Sequence, residues 1–422
     1  MYEISIKETN FSKSPNSGSF LQTPFWCEFK TRHGWSYRRF EINYVLPAEK
    51  DDKECEKNPQ AEDLKKTFEL AVLNRSFAKN IFSIAYIPLM PELPFECTPD
   101  SEIDAAFGDG EITEEGEQVS VLKELVTPET QSIEFAFLLE ELSKALKPFL
   151  PKNTIAIRFD PAVGFNTPED RDLFNFGIRQ IAKSEKLKLK KNKVDIQPPD
   201  STLVSLEGTT EQIMARMHSK WRYNIRLSEK KGVKINRYLG NDVNLSEKID
   251  KFYELTKETN ARDGNSSHEK SYYLDLIKSS AEEIASGKDV PLISLYVAEH
   301  EGDEIASIMT LFSKDEAIYL YGASSNNKRN LMPNHLLQWT AMQDAKEYGS
   351  KYYDMYGMPP EGKNENHPMH GLYMFKANFG GKNIHRTGSW DVPVKGIYGL
   401  YNSAEQIRAW WHKVVMKKIR GR

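Results

Sequence analysis

Hydrophobic and polar positions in the first half of the chain predict helices and strands in alternation. Apolar and polar residues roughly alternate across WSYRRFEINYVL (35–46), the pattern of a half-buried strand. A helix is predicted around Asp63–Asn74, and a buried strand follows at IFSIAYIPL (81–89). Glu134–Leu146 fits a helix and TIAIRFDPA (154–162) fits a strand. This alternation favours an α/β or α+β layered domain.

The second half repeats this alternation. An apolar residue at every fourth position predicts one helix over Thr210–Lys230. After two further helices, polar turns separate three strand-like runs, at 291–300, 304–312 and 317–324. A helix is predicted to begin near Pro333 and to end before Gly349, followed by the strand KYYDMYG (351–357). Three antiparallel strands, a helix and another strand are the order of an acyl-CoA N-acetyltransferase domain.

Composition indicates a globular chain of more than one domain. Its 422 residues include 39% hydrophobic and 11% aromatic residues, enough to bury a core. No stretch approaches the roughly 18 consecutive apolar residues of a membrane helix. The N-terminus lacks the pattern of a secretory signal. Three cysteines without a CxxC argue against a disulfide framework and a zinc knuckle, so a cytoplasmic protein is expected.

The net charge of −4 conceals a marked asymmetry. Glu92–Glu141 contains 15 acids and one base, and residues from about 96 to 130 are predicted to form a solvated loop insertion. The remainder carries +10, concentrated at Lys183–Lys193, at Arg216–Arg237 and in the tail AWWHKVVMKKIRGR. Three basic clusters suggest a polyanionic partner. Nucleic acid, a phosphorylated small molecule and an anionic membrane surface all qualify.

Several segments together resemble the Fem-type aminoacyltransferases of peptidoglycan synthesis. These enzymes attach amino acids from aminoacyl-tRNA to the stem peptide of a cell-wall precursor. The matching segments occur in family order and span nearly the whole chain. They are LQTPFWCEFKTRHGW (21–35), AYIP (85–88), RFDPA (158–162), KWRYNIRLSEKKGVKI (220–235), TNARDG (259–264), YLYGASS (319–325), LMPNHLLQWTAMQDAKEYG (331–349), YYDMYGMPP (352–360) and GLYMFKANFGG (371–381).

The resemblance implies an α+β fold of two tandem N-acetyltransferase-like (GNAT) domains with mixed sheets flanked by helices. The first would span 1–199, carry the acidic insertion and be completed by 385–422, and the second would span 200–384. Between Lys230 and Pro291 there is no room for the long helical hairpin of some members, so the chain is similar to the shorter, FemX-like ones. It departs from the family at Leu89 and Met90, where Arg-Gly is usual, and at the insertion.

Three residues are catalytic candidates by this resemblance. Lys376 matches a family lysine near the reacting centre, where a cation could stabilise the oxyanion or hold the terminal adenosine phosphate, and Phe375 would pack beside it. Asp160 ends a strand, where a carboxylate could orient or deprotonate the attacking amine. The alternatives are an ordinary surface lysine and a structural Asp-Pro turn.

Four further residues are candidates for binding the acceptor. Lys30 and Arg262 could hold its diphosphate, although a helix lysine and an arginine at a helix C-terminus explain them as well. Tyr319 and Tyr321 alternate on one strand and should face the same side. One of them could bond the acceptor, or both could be core residues.

Contacts with the tRNA acceptor arm are expected on the basic helix, although a solvated face is the alternative. The residues assigned to this role are Arg222, Tyr223, Arg226 and Lys230. The tail with Trp410 and Trp411 could contact an anionic bilayer, or it could pack on the first domain.

No cofactor and no metal are expected. There is no HExxH, and His367 and His370 are interpreted as loop residues. The predicted function is tRNA-dependent transfer of an amino acid to the stem-peptide amine of a UDP-linked or lipid-linked muropeptide, in the cytoplasm or at the inner face of the membrane. Two alternatives remain: an acyl-CoA-dependent N-acyltransferase, disfavoured because SSNNKRNLMPN lacks a glycine after Gly322, and an inactive RNA- or precursor-binding relative.

Overall fold

The computed structural model describes residues 3–10, 19–46, 64–91, 128–263, 267–359, 363–367 and 369–410. The chain divides into two compact units. The first consists of Met1–Pro199 and His385–Trp410, and the second contains Asp200–Ile384. Both are built on mixed β-sheets with flanking helices, which confirms the predicted α+β fold class.

The described secondary structure follows the predicted alternation. The strands are β1 (Glu3–Glu8), β2 (Ser36–Leu46), β3 (Leu64–Phe77), β4 (Phe82–Pro88), β5 (Thr154–Asp160), β6 (Gly164–Phe165), β7 (Lys190–Lys191), β8 (Asp200–Ser205), β9 (Lys234–Tyr238), β10 (Leu292–His300), β11 (Asp303–Phe312), β12 (Glu316–Ser324), β13 (Tyr352–Asp354), β14 (Lys382–Arg386) and β15 (Trp390–Pro393). The helices are α1 (Pro24–Thr31), α2 (Pro128–Leu146), α3 (Pro168–Ser184), α4 (Thr210–Arg216), α5 (Ser219–Lys230), α6 (Leu245–Asp263), α7 (Lys270–Ala285), α8 (Pro333–Tyr348), α9 (His370–Ala377) and α10 (Tyr398–Trp410).

The first unit has a seven-stranded sheet in the order β1-β2-β3-β4-β5-β15-β7. Strands β4 and β5 pair in parallel, and the other neighbours are antiparallel. Apolar side chains of α2 and α3, among them Phe135 and Phe174, pack with those of the sheet in one core. Strand β15 comes from the end of the chain, so the first unit contains residues from both ends of the sequence.

The second unit has a sheet in the order β14-β8-β13-β12-β11-β10-β9. Strands β10, β11 and β12 form the predicted antiparallel meander, and β12 pairs in parallel with β13. Helix α8 begins at Pro333 and ends before Gly349, whose φ of 102° lies in the left-handed region that glycine tolerates. The side chains of α5 and α8 share a core with this sheet.

The prediction of a helix around Asp63–Asn74 is wrong. Residues 64–74 belong to β3, which pairs with β2 from Ser36 opposite Asn74 to Leu46 opposite Leu64. Phe68, Leu70 and Val72 alternate along β3 and lie at the core. A short apolar run fits both the helical and the strand period. The pairing with a long neighbouring strand decides between them.

The predicted single helix over Thr210–Lys230 is interrupted in the structure. Helix α4 ends at Arg216, Met217 is extended (φ −70°, ψ 151°), and α5 starts after His218. The ring of His218 accepts a hydrogen bond from the Lys220 N–H and caps the new helix. Met217 still lies in the core, so the four-residue apolar spacing is retained across the break.

Two predicted segments lie largely outside the described residues. Residues 96–127 of the predicted insertion and the tail from 411 to 422 belong to this group. The predicted insertion extends to about residue 130, whereas helix α2 begins at Pro128, so its last residues are helical.

A buried ion-pair network attaches α10 to the sheet of the first unit. The Nε and Nη2 atoms of Arg158 donate to both carboxylate oxygens of Asp391, at 2.7 and 2.8 Å. The same guanidinium donates to Glu405 on α10, at 3.0 and 2.7 Å. The Tyr398 hydroxyl donates to Asp391 at 2.8 Å. The guanidinium group of Arg158 on β5 therefore binds both β15 and α10.

Replacing Arg158 by Met should destabilise the first unit by about 3–5 kcal/mol, because Asp391 would remain buried without its counter-charge. Urea unfolding followed by far-ultraviolet circular dichroism measures this change. The control is Lys251→Ala, which removes an exposed pair with Glu254 and should leave the transition unchanged. A transition of R158M that matches the wild type would contradict the network's structural role.

Candidate active site

Lys376 lies in the last turn of α9 and has only 6% of its surface exposed. Its Nζ donates to the carbonyl oxygens of Met355 at 2.8 Å, of Gly357 at 2.9 Å, and of Tyr356. An ammonium has three N–H donors, so three carbonyls match its full donor capacity. Lys376 is thus a buried, oriented cation, which excludes the alternative of an ordinary surface lysine.

The backbone that surrounds this ammonium follows β13 in an uncommon conformation. Tyr356 has φ 48° and Gly357 has φ 60°, both in the left-handed region. The Tyr356 N–H donates to the Asp354 carboxylate at 2.7 Å, and the Ser201 hydroxyl donates to the same oxygen. A non-glycine residue in this region costs about 1–3 kcal/mol, and surrounding bonds must hold it there. Asp354 and Lys376 provide those bonds from either side.

The electrostatics at Lys376 follow from its burial. Desolvation lowers the pKa of Lys376 from 10.5 to about 8, and the Asp354 carboxylate acts in the opposite direction. The Tyr319 ring lies 5.2 Å from Nζ, close enough for a cation–π contact. Gly322 makes room for this ring, since a Cβ at that position would overlap the Tyr319 hydroxyl. Burial raises the pKa of Tyr319 to about 12, so it stays a neutral phenol at physiological pH.

Helix α5 is joined to the residue before Lys376. The indole Nε1 of Trp221 donates to the Phe375 carbonyl at 2.9 Å. The His335 ring packs against Trp221, with centroids 5.0 Å apart, and against Phe375 at 5.3 Å. Asn224 on α5 contacts the His335 Nε2 at 3.2 Å. Burial lowers the pKa of His335 to about 4, so this histidine is neutral at pH 7 and acts in packing.

The predicted tRNA-binding residues differ in their surroundings. Tyr223 is 61% exposed, and Arg226 and Lys230 are also exposed on α5. They stand at spacing three and four and so share one face of the helix. Arg222 instead donates to the carbonyls of Ala215 and Met217 at 2.9 and 2.8 Å and closes the end of α4. Tyr223, Arg226 and Lys230 therefore share an exposed face of α5, on which Glu229 is also exposed, and Arg222 has a structural contact.

Arg262 lies in the last turn of α6, as the helix-terminus alternative predicted. It donates to the Ser324 carbonyl at 3.2 Å and to the Asn326 side chain at 3.1 Å, and it pairs with Asp263. These bonds connect α6 to the end of β12.

The prediction that Tyr319 and Tyr321 face the same side is wrong. A β-bulge in the pairing of β11 and β12 places Tyr319 opposite Thr310 and Tyr321 opposite Met309. The intervening residue is extra, and an extra residue interrupts the two-residue alternation. Tyr319 consequently contacts Lys376, whereas the Tyr321 ring packs against Tyr273 at 5.1 Å.

In the first unit, Lys30 lies on α1, and its ammonium group is close to aromatic rings. Its Nζ is 5.4 Å from the Trp26 ring and 5.2 Å from the Trp35 ring. Burial, together with the nearby Arg75 cation, lowers the pKa of Lys30 to about 8. Arg75 also lies over Trp35, at 5.3 Å. Two cations beside one indole form a positively charged patch, which is suited to an anion.

Asp160 is buried in the first unit and accepts three hydrogen bonds. Its donors are the Tyr86 hydroxyl, the Ser389 hydroxyl and the Gln197 N–H at 3.2 Å. Burial raises its pKa, and these bonds oppose the rise. Tyr86 packs against Trp35 at 6.1 Å, so Asp160 and Lys30 are joined through two aromatic residues. These contacts suit a positioning carboxylate.

Sequence reasoning did not identify His335, Asn224, Asp354 or Arg75 as site residues. His335 and Asp354 lie inside segments quoted for the resemblance, LMPNHLLQWTAMQDAKEYG and YYDMYGMPP. Their location inside these segments was the signal that the sequence offered for a role in the site. Their hydrogen bonds can be seen only in the folded protein. Within the described ranges no group of His, Cys, Asp or Glu could hold a metal ion, and no helix has the length and apolar character to span a membrane.

The lowered pKa of Lys376 predicts a pH-dependent stability. Between its folded pKa of about 8 and its ordinary value of 10.5, the unfolded chain binds more protons at this residue, so stability from this site rises with pH. In Lys376→Met this contribution is absent. The free energy of unfolding of the wild type minus that of K376M should therefore increase from pH 7.5 to pH 10.

Urea unfolding of both proteins at pH 7.5, 8.5 and 10 measures this difference, and Lys278→Met, an exposed lysine on α7, serves as the control. A difference that is constant over this range would contradict the burial of a titrating amine at this position.

Both units have a mixed sheet with flanking helices, and the second contains a buried, oriented lysine. The chain belongs to the FemAB family, whose model matches residues 135–285 and 294–406. This assignment confirms the family resemblance predicted from the sequence.

Relatives support the same assignment, and a solved structure shares the fold. The lipid II:glycine glycyltransferase of Staphylococcus haemolyticus is 25% identical over 347 residues, which cover 68% of this chain and 79% of that protein. The enzyme of the same name from Staphylococcus saprophyticus is 30% identical over 149 residues, 35% of each chain. The crystal structure of FemX matches with a TM-score of 0.59 at 19% identity and covers 94% of this chain and all of FemX. The predicted enzyme class, an aminoacyltransferase, is confirmed by the names of these relatives.

Proposed function

We propose that the protein transfers an amino acid from aminoacyl-tRNA to an amine of the stem peptide of a muropeptide precursor. Membership of the FemAB family and relatives named as lipid II:glycine glycyltransferases support this proposal. The names of these relatives favour a lipid-linked acceptor and, with it, a location at the inner face of the membrane. The donated amino acid is left open.

The observation that carries the proposal is the connection between α5 and α9. An exposed face with Tyr223, Arg226 and Lys230 belongs to the same helix as Trp221, which donates to the Phe375 carbonyl. An RNA backbone held along this face would thus be bound by a helix in direct contact with the residue before Lys376. Cations supply affinity through phosphates without sequence choice, and an exposed tyrosine can stack on a base.

The reaction requires positioning and charge stabilisation. The neutral amine attacks the ester carbonyl carbon of the aminoacyl-tRNA, and the resulting oxyanion carries the developing charge. The bond from this carbon to the ribose oxygen then breaks, the amine nitrogen loses a proton and the ribose oxygen gains one. An ester is already activated, so a fixed cation near the oxyanion could supply much of the acceleration.

Lys376 is the proposed source of that charge. Its donors are engaged by three carbonyls, so it would act through its electrostatic field and through the backbone that it fixes. Phe375 contributes its carbonyl to the link with α5. In the first unit, Lys30 is proposed to hold the acceptor's diphosphate, and Asp160 to keep Tyr86 in place. Arg262, Tyr319 and Tyr321 remain proposed binding residues.

Label transfer tests the function directly. The protein is incubated with radiolabelled aminoacyl-tRNA pools and with either lipid-linked or UDP-linked muropeptide. Label should appear in the muropeptide with one tRNA, and Lys376→Met should reduce the rate by about a hundredfold or more, as loss of an electrostatic stabiliser does. Transfer from acyl-CoA instead, or tRNA binding without transfer, would contradict the proposal.

The exposed basic face predicts a change in tRNA affinity that is independent of catalysis. Arg226→Ala/Lys230→Ala should weaken binding to tRNA and lower the magnitude of the slope of log affinity against log salt by about two, one for each phosphate that the variant no longer neutralises. Filter binding across a salt series measures both quantities.

The matched control is Lys251→Ala/Lys278→Ala, which removes two exposed cations from α6 and α7 of the same unit and should bind tRNA as the wild type does. An equal reduction of affinity in the two variants would indicate a general charge effect and would exclude a specific role for α5.

A further inference from the structure

Helix α10 exposes a line of apolar side chains. Leu400 is 72% exposed and Ile407 is 64% exposed, and Ile397, immediately before the helix, is 39% exposed. Ala404 between them is exposed as well. Residues separated by three or four positions lie on one helix face, so these four form a single stripe.

The opposite face of α10 is attached to the first unit. Tyr398 is buried and donates to Asp391, and Glu405 accepts from Arg158. Tyr401 packs against Phe77 with ring centroids 5.2 Å apart. The helix is therefore fixed in rotation by buried contacts, which point the stripe outwards.

The sequence around this stripe is strongly basic. Between Gln406 and Arg422 there are six Lys or Arg residues and no Asp or Glu. Trp410 and Trp411 lie within the same stretch. Amphipathic helices with aliphatic and aromatic residues beside Lys and Arg lie at the surface of anionic bilayers. Each basic residue near such a surface adds to the electrostatic attraction.

We propose that the outer face of α10, formed by Ile397, Leu400, Ala404 and Ile407, docks on the surface of an anionic bilayer. The inference rests on the proposed function in one respect, since an enzyme with a lipid-linked acceptor works at that surface. Charge complementarity favours a bilayer over a second copy of this chain, because the sequence from 406 to 422 has six Lys or Arg and no acid, and like charges repel. A stable dimer also needs about 800 Å² from each partner, more than a stripe of four side chains offers.

The test is sedimentation of the full chain with vesicles that contain no muropeptide, so binding is measured independently of transfer. Vesicles of phosphatidylcholine with 40% phosphatidylglycerol should bind the wild type, and pure phosphatidylcholine should not. Leu400→Asp/Ile407→Asp should raise the lipid concentration for half-binding by about tenfold or more. Lys417→Glu/Lys418→Glu should weaken binding at low salt, and 0.5 M salt should weaken binding of the wild type.

A matched control uses another exposed apolar pair of the first unit, Leu173 and Phe176 on α3. Leu173→Asp/Phe176→Asp should bind anionic vesicles as the wild type does. L400D/I407D should still transfer label to UDP-linked muropeptide, or bind tRNA, as the wild type does. This result would show that the variant is folded. The proposal is overturned if L400D/I407D binds as the wild type does, or if both pairs weaken binding equally. It is also overturned if sedimentation velocity shows a dimer that L400D/I407D dissociates.

Discussion

The second unit depends on the contact between one ammonium and three backbone carbonyls. Lys376 holds the carbonyls of Met355, Tyr356 and Gly357, in a segment where two successive residues have positive φ. Because the lysine is on α9 and the segment follows β13, this contact fixes helix and sheet together. It also leaves a cation with only a small part of its surface exposed. Burial of that cation makes the charge effective over a distance and lowers its pKa.

The surroundings of Lys376 connect this cation to an exposed basic surface. Trp221 reaches from α5 to the Phe375 carbonyl, and the neutral His335 packs against both residues. The face with Arg226 and Lys230 thus belongs to an element that cannot move without disturbing α9. Such an arrangement suits an enzyme that binds a polyanionic donor and stabilises charge next to the bound end.

The first unit uses buried carboxylates in a comparable way. Asp391 and Glu405 are held by Arg158, and Asp160 is held by hydroxyl and amide donors. The first set fixes α10, and the second fixes Tyr86 beside Trp35 and Lys30. Buried charges without partners are costly, so these sets tolerate few substitutions. Since α10 is fixed on its inner face, its outer apolar stripe is available to a partner.

The sequence by itself determined the strand meander, the limits of α8 and the family, because turn residues, Pro333 and Gly349 act locally and the quoted segments are contiguous. It also predicted Lys376 and Phe375 as site residues, and their catalytic role stays a prediction. The tertiary structure decided that 64–77 is a strand, since a short apolar run fits two periods and only pairing with β2 selects one. It separated Tyr319 from Tyr321 through a bulge, and it assigned Arg222 to the end of α4. Hydrogen bonds between residues distant in the chain have no signature in a single sequence, so His335, Asp354 and the carbonyls around Lys376 became recognisable only in the folded protein.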